Sequence, residues 1–193
     1  MYFLDADSIK QSRITLSLII INVFCFLTFN IILPIEYILT LVQINSNIIA
    51  GEYWRLFTSM FLHADIMHIL SNMIALLFFG AAVENNYSKL EYLIIYFISG
   101  LIGNLFSLLL LPLNTISLGA SGAIFGLIGA AFILYTVEGE KTLIFLGLFY
   151  LAYFIISSIA PGINLWAHLF GLLGGICFGY IFAHRKRKNR ALY

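Results

Sequence analysis

Tyr92 to Val137 reads YLIIYFISGLIGNLFSLLLLPLNTISLGASGAIFGLIGAAFILYTV, without one charged side chain. Pro112-Leu113-Asn114-Thr115 is its only break. At a rise of about 1.5 Å per residue, such a stretch holds two helices able to cross roughly 30 Å of hydrocarbon. The first runs from about Leu90 to Leu111 and the second from Ser121 to about Val137. Gly119-Ala120-Ser121-Gly122-Ala123-Ile124-Phe125-Gly126 thus places one hydroxyl at the start of a buried helix. A helix N-terminus offers unpaired N–H groups and partial positive charge, which favour an oxyanion. Flanking glycines let a backbone or a substrate carbonyl come close. Two readings stay open on this string alone. Ser121 is a nucleophile within a membrane, or Gly122 and Gly126 are a small-residue pair for helix packing. The nucleophile elbow of soluble hydrolases, G-x-S-x-G after a strand, does not fit.

The rest of the chain agrees with a membrane location. Of 193 residues, 62% are hydrophobic and only 10% charged. Mean hydropathy is +1.00. These values exclude a soluble globular domain and a disordered chain. Cys25 and Cys177 both sit in apolar runs, which suggests neither a disulfide framework nor a zinc cluster.

Working outward, Ile14 to Leu33 is a first span, closed by Pro34 and too long for a signal-peptide core. Ile35 to Phe61 is a mixed connection expected at the membrane interface, with Tyr53 and Trp54 at headgroup level. A second span, about Leu62 to Val83, carries His63, Asp65, His68 and Asn72 at its beginning. Glu84 to Lys89 turns the chain into the third span. Glu138 to Lys141 is a polar turn after the fourth. Thr142 to Ile159 is a fifth span, stopped by Pro161-Gly162. Ile163 to about Ala183 is a sixth, with His168 near its start and a basic tail behind it. The expectation is one all-α membrane domain over residues 1–193, a six-helix bundle spanning about 14–183. Short tails at 1–13 and 184–193 share one side. Lys10, Arg13, Lys89, Lys141 and the basic tail fall on that side, and Arg55 alone on the other. Positive charge accumulates on the cytoplasmic face, so both termini are expected there, in a plasma membrane. The tail reads as a topology anchor and lipid contact rather than a nucleic-acid patch.

The second, fourth and sixth spans all begin at the outer face, which brings His68, Asn72, Ser121 and His168 to one depth. Ionisable groups inside a membrane usually face the bundle interior and mark function. Gly171, Gly175 and Gly179 follow His168 at offsets of three, seven and eleven, on the same helix face. A helix packed on that stripe comes close enough for Ser121 and His168 to bond. A serine hydroxyl needs such a neutral imidazole to remove its proton. Phe125, one turn after Ser121, could stack on the ring. His68 and Asn72 share a face at i, i+4 and could donate to an oxyanion beside the Ser121 N–H, or could act as helix glue. His63, Asp65 and His68 have the wrong spacing for a metal site, and no cofactor is expected.

These strings resemble the rhomboids, the intramembrane serine proteases. The resemblance covers Gly51 to Tyr180 and rests on Trp54-Arg55, His68-x-x-x-Asn72, Gly119-x-Ser121-Gly122 and Ala167-His168-x-x-Gly171-x-x-x-Gly175. It implies a six-helix bundle with a cavity open to the outside, and cleavage of single-pass membrane proteins near the outer boundary. It implies Ser121 as nucleophile, His168 as base, His68 and Asn72 as oxyanion donors, and Arg55 as a structural part of the first loop. Rhomboids often carry tyrosine where this chain has Phe125. A catalytically silent membrane chaperone or adaptor related to the derlins, and a small transporter, are the alternatives. The former lacks the serine and histidine, and the latter calls for polar groups through the whole membrane thickness.

Overall fold

The computed structural model describes residues 6–139, 144–145, 148–149, 152, 156 and 162–190. Among them, four helices are long and apolar enough to cross a membrane: Arg13–Ile32, Ile66–Glu84, Lys89–Leu110 and Leu165–Arg185. Ser121–Val137 is equally apolar but shorter. The expected span Thr142 to Ile159 lies largely outside the described residues; those described there are helical.

Local chemistry sets the ends. Leu33 and Leu111 both precede proline and adopt extended backbone, with ψ of 151° and 156°. The proline ring crowds the residue before it out of the helical region, so both helices stop there. Ser88 and Glu91 form a reciprocal capping box that starts Lys89–Leu110. Gly139, at φ 76°, closes the Ser121 helix in the left-handed conformation that glycine adopts without strain.

One expectation needs correction. The second span begins at Ile66 rather than Leu62, because the Asp65 carboxylate accepts the His68 N–H at 2.8 Å and caps the helix. His63 therefore precedes the helix. The connection after Pro34, whose internal structure the sequence left open, is ordered. It holds short helices at Ile35–Leu39, Asn45–Ile49 and Arg55–Thr58 and a two-residue strand, Gln43–Ile44. That strand pairs antiparallel with Ile116–Ser117, so the first loop grips the loop leading to Ser121. The β content of the fold is this one small ladder among the described residues.

The Ser121 helix is the centre of the bundle. Ala123, Ile124, Phe125, Leu127, Ile128, Ala130 and Ala131 are each at most 2% exposed. By contrast, Ile20, Phe24 and Ile31 on the first helix are about two-thirds exposed, an apolar surface suited to lipid. The centre is closed by a zipper of small residues. A Cβ at Gly171 would overlap the Gly122 carbonyl, one at Gly175 would overlap that of Gly126, and one at Gly179 would lie 2.7 Å from Ala130 Cα. The partners advance by four residues on both helices, so the Ser121 and His168 helices run parallel in fixed register. This packing makes the all-α bundle rigid where the polar residues meet.

Candidate active site

Ser121 is the first residue of its helix and His168 is in the first turn of Leu165–Arg190. The zipper brings them together: His168 Nε2 and Ser121 Oγ are 2.7 Å apart. The imidazole is buried, whereas Ser121 is partly exposed. Phe125 lies flat on the His168 ring, with centroids 4.4 Å apart and planes 13° from parallel. Stacking at that distance holds the ring plane without using either ring nitrogen.

Gly119 shapes the other wall. Its φ is 132°, a conformation nearly confined to glycine, and a Cβ there would be 2.9 Å from His68 Nε2 and 3.6 Å from Ser121 Oγ. His68 Nε2 thus faces the backbone that enters the Ser121 helix. The Gly119 N–H is engaged with the Ser59 carbonyl at 2.9 Å, which fixes that backbone to the first loop. On the far edge of the His68 ring, Nδ1 accepts the Ala64 N–H at 3.4 Å. An Nδ1 that accepts leaves the proton of the neutral ring on Nε2.

Asn72 is placed differently. Its Nδ2 donates to the His68 carbonyl at 2.8 Å, one turn back on its own helix. Its Oδ1 is buried with no hydrogen-bond partner among the described residues. Gly122 is close to the Ala167 carbonyl, while Gly171 and Gly175 belong to the zipper. Arg55 is buried in the first loop. It donates to the carbonyls of Leu39 and Val42 at 2.7 and 2.8 Å and pairs with Glu52.

Several residues around this site escape a reading by motif. His63 is fully buried, its ring 5.0 Å from that of His68 and edge-on to it. Asn30, at the end of the first helix, donates to the His63 carbonyl at 3.0 Å and so holds the turn that carries Ala64. Asn164, four residues before His168, and Ser117, four before Ser121, bond to each other. The one sequence signal was for Asn164, an N-cap residue type three positions before Ala167. Asn30 and Ser117 carry none, because their partners lie far along the chain.

The arrangement can be set beside known proteins. A family model for the rhomboid domain matches residues 50–185. YdcA of Bacillus subtilis, by its name a candidate rhomboid protease, is 35% identical over 158 residues, covering 78% of this chain and 77% of YdcA. RHOMBOID-like protein 6, mitochondrial, of Arabidopsis thaliana is 38% identical over 136 residues, covering 68% of this chain and 44% of its own. Rhomboid protease GluP of Bacillus subtilis is 36% identical over 135 residues, covering 68% of this chain and 26% of GluP. The chain thus spans about three-quarters of one bacterial relative and less than half of the other two. Together with the apolar helices, these matches make it a multi-pass membrane protein, and the chain belongs to the rhomboid family.

Proposed function

We propose that the chain is an intramembrane serine endopeptidase that hydrolyses peptide bonds in or next to transmembrane segments of single-pass membrane proteins. The observation that carries this reading is the 2.7 Å approach of His168 Nε2 to Ser121 Oγ. In the proposed reaction, His168 removes the hydroxyl proton as Oγ attacks the scissile carbonyl carbon. The carbonyl oxygen takes the negative charge. It is met by the Ser121 N–H at the helix start and by the Nε2–H of His68 across Gly119. The imidazolium then gives its proton to the leaving amine, and the C–N bond breaks. Water, deprotonated by the same His168, hydrolyses the acyl-enzyme and restores the hydroxyl. Phe125 keeps the imidazole in plane through both proton transfers. The proposal places both termini in the cytoplasm and opens the site toward the outer side of a cell membrane. YdcA and GluP support it by their names.

A fluorophosphonate tests the dyad directly. It is expected to attach to Ser121 of the folded protein. Ser121→Ala abolishes labelling and cleavage of a single-pass substrate, and His168→Ala lowers labelling by at least about 100-fold. Undiminished cleavage by Ser121→Ala would remove the serine mechanism. A folded wild-type protein that neither labels nor cleaves would assign the chain to the silent, adaptor-like class.

A further inference from the structure

The two residues of the dyad come from helices that begin in different loops, and one side chain ties those loops together. Asn164 caps the His168 helix: its Oδ1 accepts the Ala167 N–H at 3.1 Å, and its own carbonyl accepts the His168 N–H at 3.3 Å. An N-cap needs no more than the side-chain oxygen. Here the amide nitrogen is engaged as well. Asn164 Nδ2 donates to Ser117 Oγ at 2.9 Å and to Ser107 Oγ at 2.5 Å. Ser117 is a buried strand residue four positions before Ser121, paired with Gln43 of the first loop. Ser107 is buried on the Lys89–Leu110 helix. Because Oδ1 faces an N–H, the amide can be oriented in only one way, and both remaining hydrogens have an acceptor.

We propose that Asn164 is a positioning residue for the Ser121–His168 pair, a role that rests on the proteolytic reading of that pair. It holds the start of the base's helix against the loop that delivers the nucleophile, with the Lys89–Leu110 helix as a fixed third point. The zipper sets the spacing and register of the two helices along their length, and this amide pins the first turn of the base's helix at the level of the nucleophile. A displacement of about 1 Å at reacting atoms costs on the order of 100-fold in rate, so such a tie acts on turnover more than on substrate binding.

Asn164→Ser separates the two parts of the side chain. Serine caps a helix as well as asparagine does, and is too short to reach Ser107 and Ser117. Three quantities are measured in one detergent: the rate of fluorophosphonate labelling, kcat and KM for a single-pass substrate, and the melting temperature. The expected result for Asn164→Ser is a melting temperature close to wild type, labelling and kcat lower by roughly 10- to 100-fold, and KM little changed. Ser117→Ala, which leaves the cap intact, lowers labelling in the same way. The double variant loses no more than the larger single effect, because both changes break one tie. Should Asn164→Ser fail to fold, Ser117→Ala alone decides. Wild-type labelling rates in Asn164→Ser or in Ser117→Ala, or losses that follow only the folded fraction, would overturn the role of Asn164 and leave the dyad standing. A folded wild-type protein that does not label would overturn the dyad reading, and the role of Asn164 with it.

Discussion

A Cβ at residue 119 would lie 2.9 Å from His68 Nε2, so a larger residue there would push the His68 ring aside as well as strain a backbone at φ 132°. That contact separates two side chains which sequence spacing had put on an equal footing. His68 turns an edge toward the entry to the Ser121 helix, and its other nitrogen is already bonded to the Ala64 N–H. Asn72 has its amide nitrogen on a carbonyl of its own helix. A donor to the oxyanion strengthens its bond as charge develops, and so acts on the chemical step. Loss of such a donor costs about 100- to 1,000-fold in turnover. His68→Ala is therefore expected to fall in that range, with KM little changed and the melting temperature nearly kept. Asn72→Ala is expected at or below its lower end, with a clearer drop in melting temperature. Turnover per folded molecule and melting temperature, measured together, check both. Equal turnover per folded molecule in His68→Ala would assign that ring to packing and leave the oxyanion donor unidentified.

At the scale of the element, legibility followed the range of the interaction. The glycines after His168 signalled close packing because their spacing is local to one helix. The partners Gly122, Gly126 and Ala130 repeat that spacing on the other. Proline fixed the ends of the first and third spans for the same reason, whereas the Asp65 cap, equally local, moved the start of the second. The cap of the first helix was hidden: Glu84 accepts the Ile14 and Thr15 N–H groups at 2.9 and 2.8 Å from some seventy residues away. The first loop was hidden too, since its order comes from Arg55 gathering the Leu39 and Val42 carbonyls under a carboxylate. That clamp yields a pH signature. The Arg55 hydrogen bond is the main cause holding the Glu52 carboxyl below its ordinary 4.5. A lowered folded-state value means that the contribution to stability is present above about pH 4.5 and is lost as pH falls through the lowered value. Wild type is thus expected to melt higher than Glu52→Gln at about pH 6, the gap closing on acidification below about pH 4. Melting curves of both across that range are the check; a gap that persists in acid would mean that Glu52 does not act through its charge.

At the scale of the molecule, two polar layers lie at opposite ends of an apolar bundle. His68, Ser121 and His168, all near the starts of their helices, form one layer with the Gln43–Ile44 and Ile116–Ser117 ladder. The other holds Glu84 over the first helix, and Tyr87, whose hydroxyl donates to the Gly179 carbonyl at 3.2 Å. Of this second layer the sequence showed only the turn from Glu84 to Lys89. The layer is built from interhelical contacts, which no single span displays. The charges divide between the same two ends. Lys10, Arg13, Lys89 and Arg185 belong to the end with Glu84, while Arg55 is at the other and is already paired with Glu52. Insertion retains cationic flanks in the cytoplasm, so the end with Glu84 is expected inside and the end with the dyad outside. Single cysteines test this in a background lacking Cys25 and Cys177. Ala50→Cys, on an exposed part of the first loop, is expected to react with an impermeant thiol reagent on intact cells. Asn189→Cys, in the basic tail, is expected to react only after the membrane is permeabilised. Exclusive labelling of intact cells through Asn189→Cys would invert the orientation, and the dyad would then open toward the cytoplasm.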